Sequence, residues 1–158
     1  MQKQILRPEQ PGTAVREWIG TDRISTIGVT SEDPAAPIEN VFEPGENAGW
    51  RAAGPGPQEI RITLIEPMAL SRIELEFQEP TRERTQEFVI RWAKSAGGPT
   101  QELVRQRWNF SPNGSTREHE QYTVNLDGVL ILELRIDPDI SRSDAIASLT
   151  HLNIAAQT

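Results

Sequence analysis

Along most of the chain apolar and polar residues alternate with a period of two. Ile60, Ile62 and Leu64 alternate with Arg61 and Thr63; Ile73, Leu75 and Phe77 alternate with Arg72, Glu74 and Glu76. Phe88, Ile90 and Trp92 share one phase of the segment 85–93, opposite Glu87 and Arg91. Such alternation predicts strands with one face buried and one in water, the arrangement of antiparallel sheets packed face to face. Eight strands are expected: 24–30, 58–65, 70–77, 85–93, 101–110, 122–126, 129–137 and 146–154. No segment holds an amphipathic helical period over three turns, which argues against strand–helix–strand units. Eight strands without intervening helices predict an all-β protein, an eight-stranded antiparallel jelly-roll β-sandwich.

Punctuation supports this division. Asp33-Pro34 and Pro37 predict a short helical turn over Ile38–Val41, ended by Pro44-Gly45. Gly54-Pro55-Gly56-Pro57 is a stiff turn into the strand at Gln58. Residues 1–23 carry Pro8, Pro11 and Gly12 and predict an N-terminal arm or short helix, pinned by Trp18 and Ile19. Residues 24–158 form the predicted jelly-roll domain. If each strand reverses its predecessor, residues 31–57, 78–84, 111–120 and 138–145 connect at one end. The shorter connections 66–69, 94–100 and 127–128 lie at the other. Long loops on a rigid scaffold are where binding residues concentrate, so the first end is the expected working end.

Composition narrows the chemistry. The 158 residues, one domain's worth, include 16 Lys and Arg against 23 Asp and Glu, a net charge of −7. That balance opposes a sequence-independent grip on nucleic acid or an anionic membrane. The absence of Cys excludes disulfides, thiol catalysis and Cys-ligated zinc. No stretch approaches the roughly 20 apolar residues of a membrane span, and Met1–Pro8 lacks a secretory apolar run; a cytoplasmic protein is the expectation. The two histidines, His119 and His151, fit no metalloprotease motif, and no nucleophile elbow or phosphate loop is present. In Glu118-His119-Glu120 an extended backbone points both carboxylates away from the imidazole. A non-enzymatic role follows.

The residue order then resembles a known family. Thr30-Ser31-Glu32, the Pro37-Ile38-Glu39-Asn40-Val41-Phe42 turn and Gly49-Trp50-Arg51-Ala52-Ala53 before a strand at Gln58 are similar to the galactose-binding-domain-like superfamily. That superfamily includes the discoidin domains, the C-type domains of coagulation factors. The run Ile146–Ile154 resembles its last strand, and the likeness spans residues 24–155. The Trp-Arg-Ala-Ala segment is also similar to the amino-terminal domain of the X-ray-repair scaffold protein, which touches gapped DNA and a repair polymerase. The resemblance implies a non-catalytic module binding through loops at one end of the barrel. It further implies a structural Ca²⁺ beside Glu43 and Asn47, although His151, a poor Ca²⁺ ligand, stands where an acid is usual. No other cofactor is expected.

A polar ligand such as a carbohydrate needs an aromatic face and fork-shaped donors and acceptors. The expected end offers Trp50, Arg51, Arg82, Glu83, Arg84, Asn113, Arg117 and His119. The proposed pocket uses Arg51 and Arg84 as donors, Glu83 as acceptor and a Trp as platform. Each has a plainer role beside it: Trp50 as a plug of the barrel end, Trp92 and Trp108 as core, the arginines in surface ion pairs, Asn113 in a turn. Two rival functions stand alongside carbohydrate binding. An intracellular protein-interaction module is favoured by Trp and Arg in loops; a nucleic-acid contact through Arg51, Arg82, Arg84 and Arg117 is opposed by net charge.

Overall fold

A computed structural model describes residues 18–157, and the fold below is that of these residues. Eight strands form: β1 (Ile24–Val29), β2 (Trp50–Pro55), β3 (Gln58–Gln78), β4 (Arg84–Ala93), β5 (Gln101–Phe110), β6 (Arg117–Asp137), β7 (Ile146–Leu149) and β8 (His151–Ala156). All pairings are antiparallel, and no α-helix occurs among the described residues. The jelly-roll β-sandwich expected from the alternation is what forms. Residues 1–17 of the arm expected over 1–23 lie outside the described residues. Trp18 and Ile19 do join the sheet edge: Trp18 bridges Ala155 and the Ile19 N–H donates to the Ile154 carbonyl at 2.7 Å.

Four of the expected strands are divided differently. β3 and β6 are each continuous through positions expected to be loops, and they pair with each other from Gln58↔Ile136 to Gln78↔Arg117. The register shifts between Thr63 and Met68, and again up to Arg72. Pro67, which has no N–H to give a ladder, sits in this shift between exposed Ile65, Glu66 and buried Met68. Opposite it, Gly128 takes φ +68°, a conformation that L side chains resist. Pro67 and Asp127-Gly128 therefore make a corner, not a pair of reversing turns. Below the corner β1, β3, β6, β4 and β5 form one layer; above it β8, β3 and β6 form the other.

The two remaining differences lie near the loop end. β2 forms inside the expected loop 31–57 and pairs with β7 through Trp50↔Leu149 and Arg51↔Ser148. The expected strand 146–154 breaks at Thr150, because β7 pairs with β2 whereas β8 pairs with β3. At this exchange Gly49 passes so close that a Cβ would lie 2.4 Å from the Leu149 carbonyl oxygen. Only glycine fits there, and its φ of +63° reinforces the requirement. The helical turn expected after Pro37 is a 3₁₀ turn over Ile38–Phe42 that buries Ile38 and Val41.

The layers close on one core. Phe77 and Phe88 meet across it with ring centroids 5.3 Å apart, beside Ile60, Ile62, Leu75, Ile90 and Leu134. Trp92 is buried with Phe88 and Ile90, as its phase requires. Trp50 is fully buried and its indole N–H donates to the Ser31 carbonyl at 3.2 Å. It plugs the loop end of the sandwich and locks residues 31–36 down. Trp50→Ala is expected to cost about 3–5 kcal/mol and Trp50→Phe clearly less, measured by denaturant unfolding; a loss below 1 kcal/mol for Trp50→Ala would contradict the plug.

Candidate functional site

The layer formed by β8, β3 and β6 turns Ile73, Leu75 and Phe77 into the core, so Glu74, Glu76 and Gln78 occupy its outer face. The register sets their neighbours. Glu76 stands between His119 of β6 and His151 of β8, Glu74 between Gln121 and Asn153, and Gln78 opposite Arg117. Two walls rise over this face. One is the loop Phe42–Asn47, folded by Asn47: its Oδ1 accepts the Gly49 N–H at 2.7 Å and its Nδ2 donates to the Asn40 carbonyl at 3.1 Å. The other is Trp18, whose ring lies 5.6 Å from the Arg72 guanidinium. Between them runs a groove of about 750 Å³, within the size range of small-ligand sites.

Charges on the groove floor are arranged in pairs. Glu76, only 6 % exposed, contacts the Arg117 guanidinium through Oε1, and its Oε2 lies 3.8 Å from His151 Nε2. Glu74 accepts a hydrogen bond from Gln121 at 2.7 Å and has His119 Nε2 at 3.4 Å. The floor thus presents guanidinium, imidazole, amide and carboxylate groups from three rigid strands.

The structure divides the residues expected to bind. Arg117 and His119 line the groove, as do Glu43 and Asn47. Trp50 and Arg84 lie elsewhere, and both require correction. Trp50 is buried as a plug, so it cannot serve as a ligand platform. Arg84 begins β4 in the phase of Gln86 and Phe88 and points between the layers. There its guanidinium donates to Glu79 at 2.8 Å, Gln86 at 3.2 Å and the Pro138 carbonyl at 2.7 Å, above the Phe110 ring. With its side chain 1 % exposed it is out of a ligand's reach. Arg51 lies exposed on β2, Arg82 pairs with Asp144, and Glu83 and Asn113 are exposed on other loops; none of the four lines the groove. The pocket built on Arg51, Glu83 and Arg84 therefore does not assemble.

Of the two residues implied for Ca²⁺, Glu43 lines the groove wall and Asn47 folds the loop. Asn47 has its side-chain oxygen committed to a backbone N–H, and the described residues contain no metal-binding group of three or more acidic or His side chains. Glu74, Glu76, Gln78, His151, Asn153 and Trp18 complete the groove and were not expected there. The signal existed for Glu74 and Glu76, whose polar phase was plain; what was missing was the knowledge that the 42–47 loop would cover that face.

Alternation sends Glu118 the opposite way from Arg117 and His119. It is fully buried between the layers, accepts one hydrogen bond from Gln86 at 3.1 Å and leaves Oε2 without a partner. Burial, reinforced by the nearby Glu120 carboxylate, pushes Glu118 up to about 8. The same causes raise the Tyr122 hydroxyl.

Comparison with known proteins shows this architecture elsewhere. No family model matches the chain, and no curated protein matches it by sequence. Solved structures do match. CBM32-3 from a family 31 glycoside hydrolase of Clostridium perfringens superposes with a TM-score of 0.62 at 17 % identity, covering 92 % of this chain and 98 % of that one. The family 32 carbohydrate-binding module from C. perfringens NanJ, solved with galactose, gives 0.60 at 16 % identity, covering 87 % and 97 %. XRCC1 bound to the DNA polymerase β catalytic domain gives 0.61 at 14 % identity, covering 86 % and 98 %. The chain has the galactose-binding-domain-like fold. Within this fold the groove lies on the face of one layer, flanked by the loop that precedes the buried Trp50.

Glu118 generates a test of the inter-layer packing. Because folding raises its pKa, the folded chain holds a proton that the unfolded chain has lost, so stability is fullest below the ordinary carboxylate range and declines as pH rises to about 8. Glu118→Gln is expected to remove this decline and to exceed the parent by about 1–3 kcal/mol near pH 8. Unfolding curves across pH 4–9 that are parallel for the two proteins would contradict it.

Proposed function

We propose that this chain is a non-catalytic carbohydrate-binding module and that its ligand lies in the groove over β3, β6 and β8. The observation that carries this reading is the groove's composition: Trp18 and Phe42 supply apolar wall, while Arg117, His119, His151, Gln78, Asn153, Glu74 and Glu76 supply donors and acceptors. Saccharides present alternating C–H surface and hydroxyl groups, and need both kinds of partner. Two of the similar structures are carbohydrate-binding modules, one holding galactose, which supports the same reading.

A binding role also agrees with the placement of the perturbed acid. A raised carboxylate is a common signature of acid catalysis. Glu118 carries that signature, but it sits between the layers behind Phe77's strand, on the opposite face from the groove. A general acid must come within hydrogen-bond reach of its substrate. Glu118 cannot do so without opening the sandwich.

A glycan array spanning neutral, amino and acidic saccharides, followed by calorimetry on the hits, tests the proposal. Arg117→Ala is expected to weaken the best hit about tenfold, equivalent to ~1.4 kcal/mol. An equal loss on Arg51→Ala would place the ligand at the β2 rim instead. An array without hits would remove the saccharide reading and leave a protein-interaction module, the role of the XRCC1 domain in its polymerase complex.

A further inference from the structure

The outer face of the larger layer holds a second hollow, away from the groove. The core takes Phe88 and Ile90 from β4, and Leu132, Leu134 and Ile136 from β6. Val89, Arg91, Arg135 and Asp137 therefore stand on the opposite face of that layer. The ladders set Val89 between Arg135 of β6 and Arg105 of β5, with Arg91 two residues further along β4. Val89 is the short residue in this charged row and floors a space of about 260 Å³, lined also by Glu87, Arg91, Arg105, Arg135 and Asp137. That is below the size of drug-sized ligand sites and suits a single small group.

The guanidiniums around it are unequally committed. Arg105 donates to Glu87 at 2.7 Å and to Glu102 at 2.8 Å. Glu87 is met a second time by Arg107 at 2.7 Å, so its charge is answered within the sheet. Arg91 differs: its one ion-pair contact among the described residues, Glu102, lies 3.8 Å away, beyond hydrogen-bond reach. Arg135 has no side-chain hydrogen bond or ion pair among the described residues, although Glu59 stands opposite it on β3. The two open guanidiniums are diagonal neighbours across β4 and β6, a spacing of about 7–8 Å between Cα atoms. Each presents a planar fork of N–H groups that can meet two oxygens of one acceptor. A tetrahedral oxyanion has oxygens on both sides, so two forks at this spacing can bracket it over the Val89 floor.

We infer that this hollow is a second binding site, separate from the groove, for a sulfate or phosphate group bridging Arg91 and Arg135. Val89 leaves the room, and Arg105, fixed by its two glutamates, forms the side wall. Asp137 opposes the anion from the far end, so recognition comes from the placed donors and not from bulk charge, which at −7 repels anions. The inference stands independently of the carbohydrate reading.

An NMR titration of the isotope-labelled full chain with sodium sulfate and sodium phosphate, at ionic strength held constant with chloride, tests the site. Each anion is expected to saturate one site with a dissociation constant on the order of 1 mM and to move the backbone amides of Val89, Arg91, Arg105 and Arg135. Arg135→Gln and Arg91→Gln are each expected to weaken binding about tenfold. Val89→Leu, which fills the floor and changes no charge, is expected to weaken it at least about fivefold. Asp137→Asn, which removes the opposing charge, is expected to tighten it about threefold. Arg51→Gln on β2 removes an equal charge outside the hollow and is expected to leave affinity unchanged. Glucose phosphate run beside glucose separates two sources of the group. An ester held in the hollow as tightly as the inorganic ion assigns a solute-borne group; an ester excluded from it assigns the free ion. No saturation below ~20 mM, shifts spread over all exposed arginines, or an affinity unmoved by both Arg135→Gln and Val89→Leu would each overturn the inference. The carbohydrate reading survives any of these, because the groove lies on the other layer. A spectrum unchanged outside the hollow in each variant excludes unfolding as the cause of a loss.

Discussion

The paired strands β3 and β6 are the constraint on which everything else depends. Among the described residues they are the only elements shared by both layers, and their ladder continues through the corner at Pro67 and Gly128. Below the corner the ladder fixes β1 and β4; above it, β8. Because side chains alternate, a slip of one residue would turn Ile73, Leu75 and Phe77 outward and draw Glu74, Glu76 and Gln78 into the core. The burial of three apolar residues thus fixes which polar residues floor the groove. The groove's chemistry is set by the core's register.

The class of fold was legible because it rests on periodicity, and periodicity is local. The corner was not. Pro67 and Asp127-Gly128 are strong turn signals, and a strand passing through them unbroken depends on the second layer folding over the first. β2 was hidden because Ala52-Ala53-Gly54 is a weak strand former that acquires its pairing only from β7. The break at Thr150 marks an exchange of partners, which no local pattern records. Of the site, Arg117 and His119 were legible and most of the floor was not, because covering the face of a sheet with a distant loop is a tertiary event. Arg84 could have been read better: it continues the phase of Gln86, Phe88, Ile90 and Trp92, which points inward.

That inward arginine has a structural consequence. Burying a guanidinium is costly unless it is paired, and here Glu79, Gln86 and the Pro138 carbonyl accept hydrogen bonds from it. Those partners belong to the connection after β3, to β4 and to the connection after β6. Arg84 therefore ties three parts of the loop end into one unit. Glu79 directly follows Gln78, the last floor residue of the groove, so the clamp holds the end of the binding face without touching it.

Placing the site on strands has a physical advantage over placing it on loops. Side chains on neighbouring strands stand about 4.8 Å apart and have little backbone freedom to lose. Association is weakened by every side chain or loop that must be ordered on binding. In this chain the donors and acceptors lie in rows whose spacing the ladder already sets. Glu76 is further held by burial and by its contact with Arg117. The loop contributes walls, and it too is closed internally, by Asn40 and Asn47 hydrogen bonds to backbone groups. What the sandwich offers a ligand is consequently a set of polar groups fixed before the ligand arrives, and discrimination then follows from which of their lone pairs and protons remain unused.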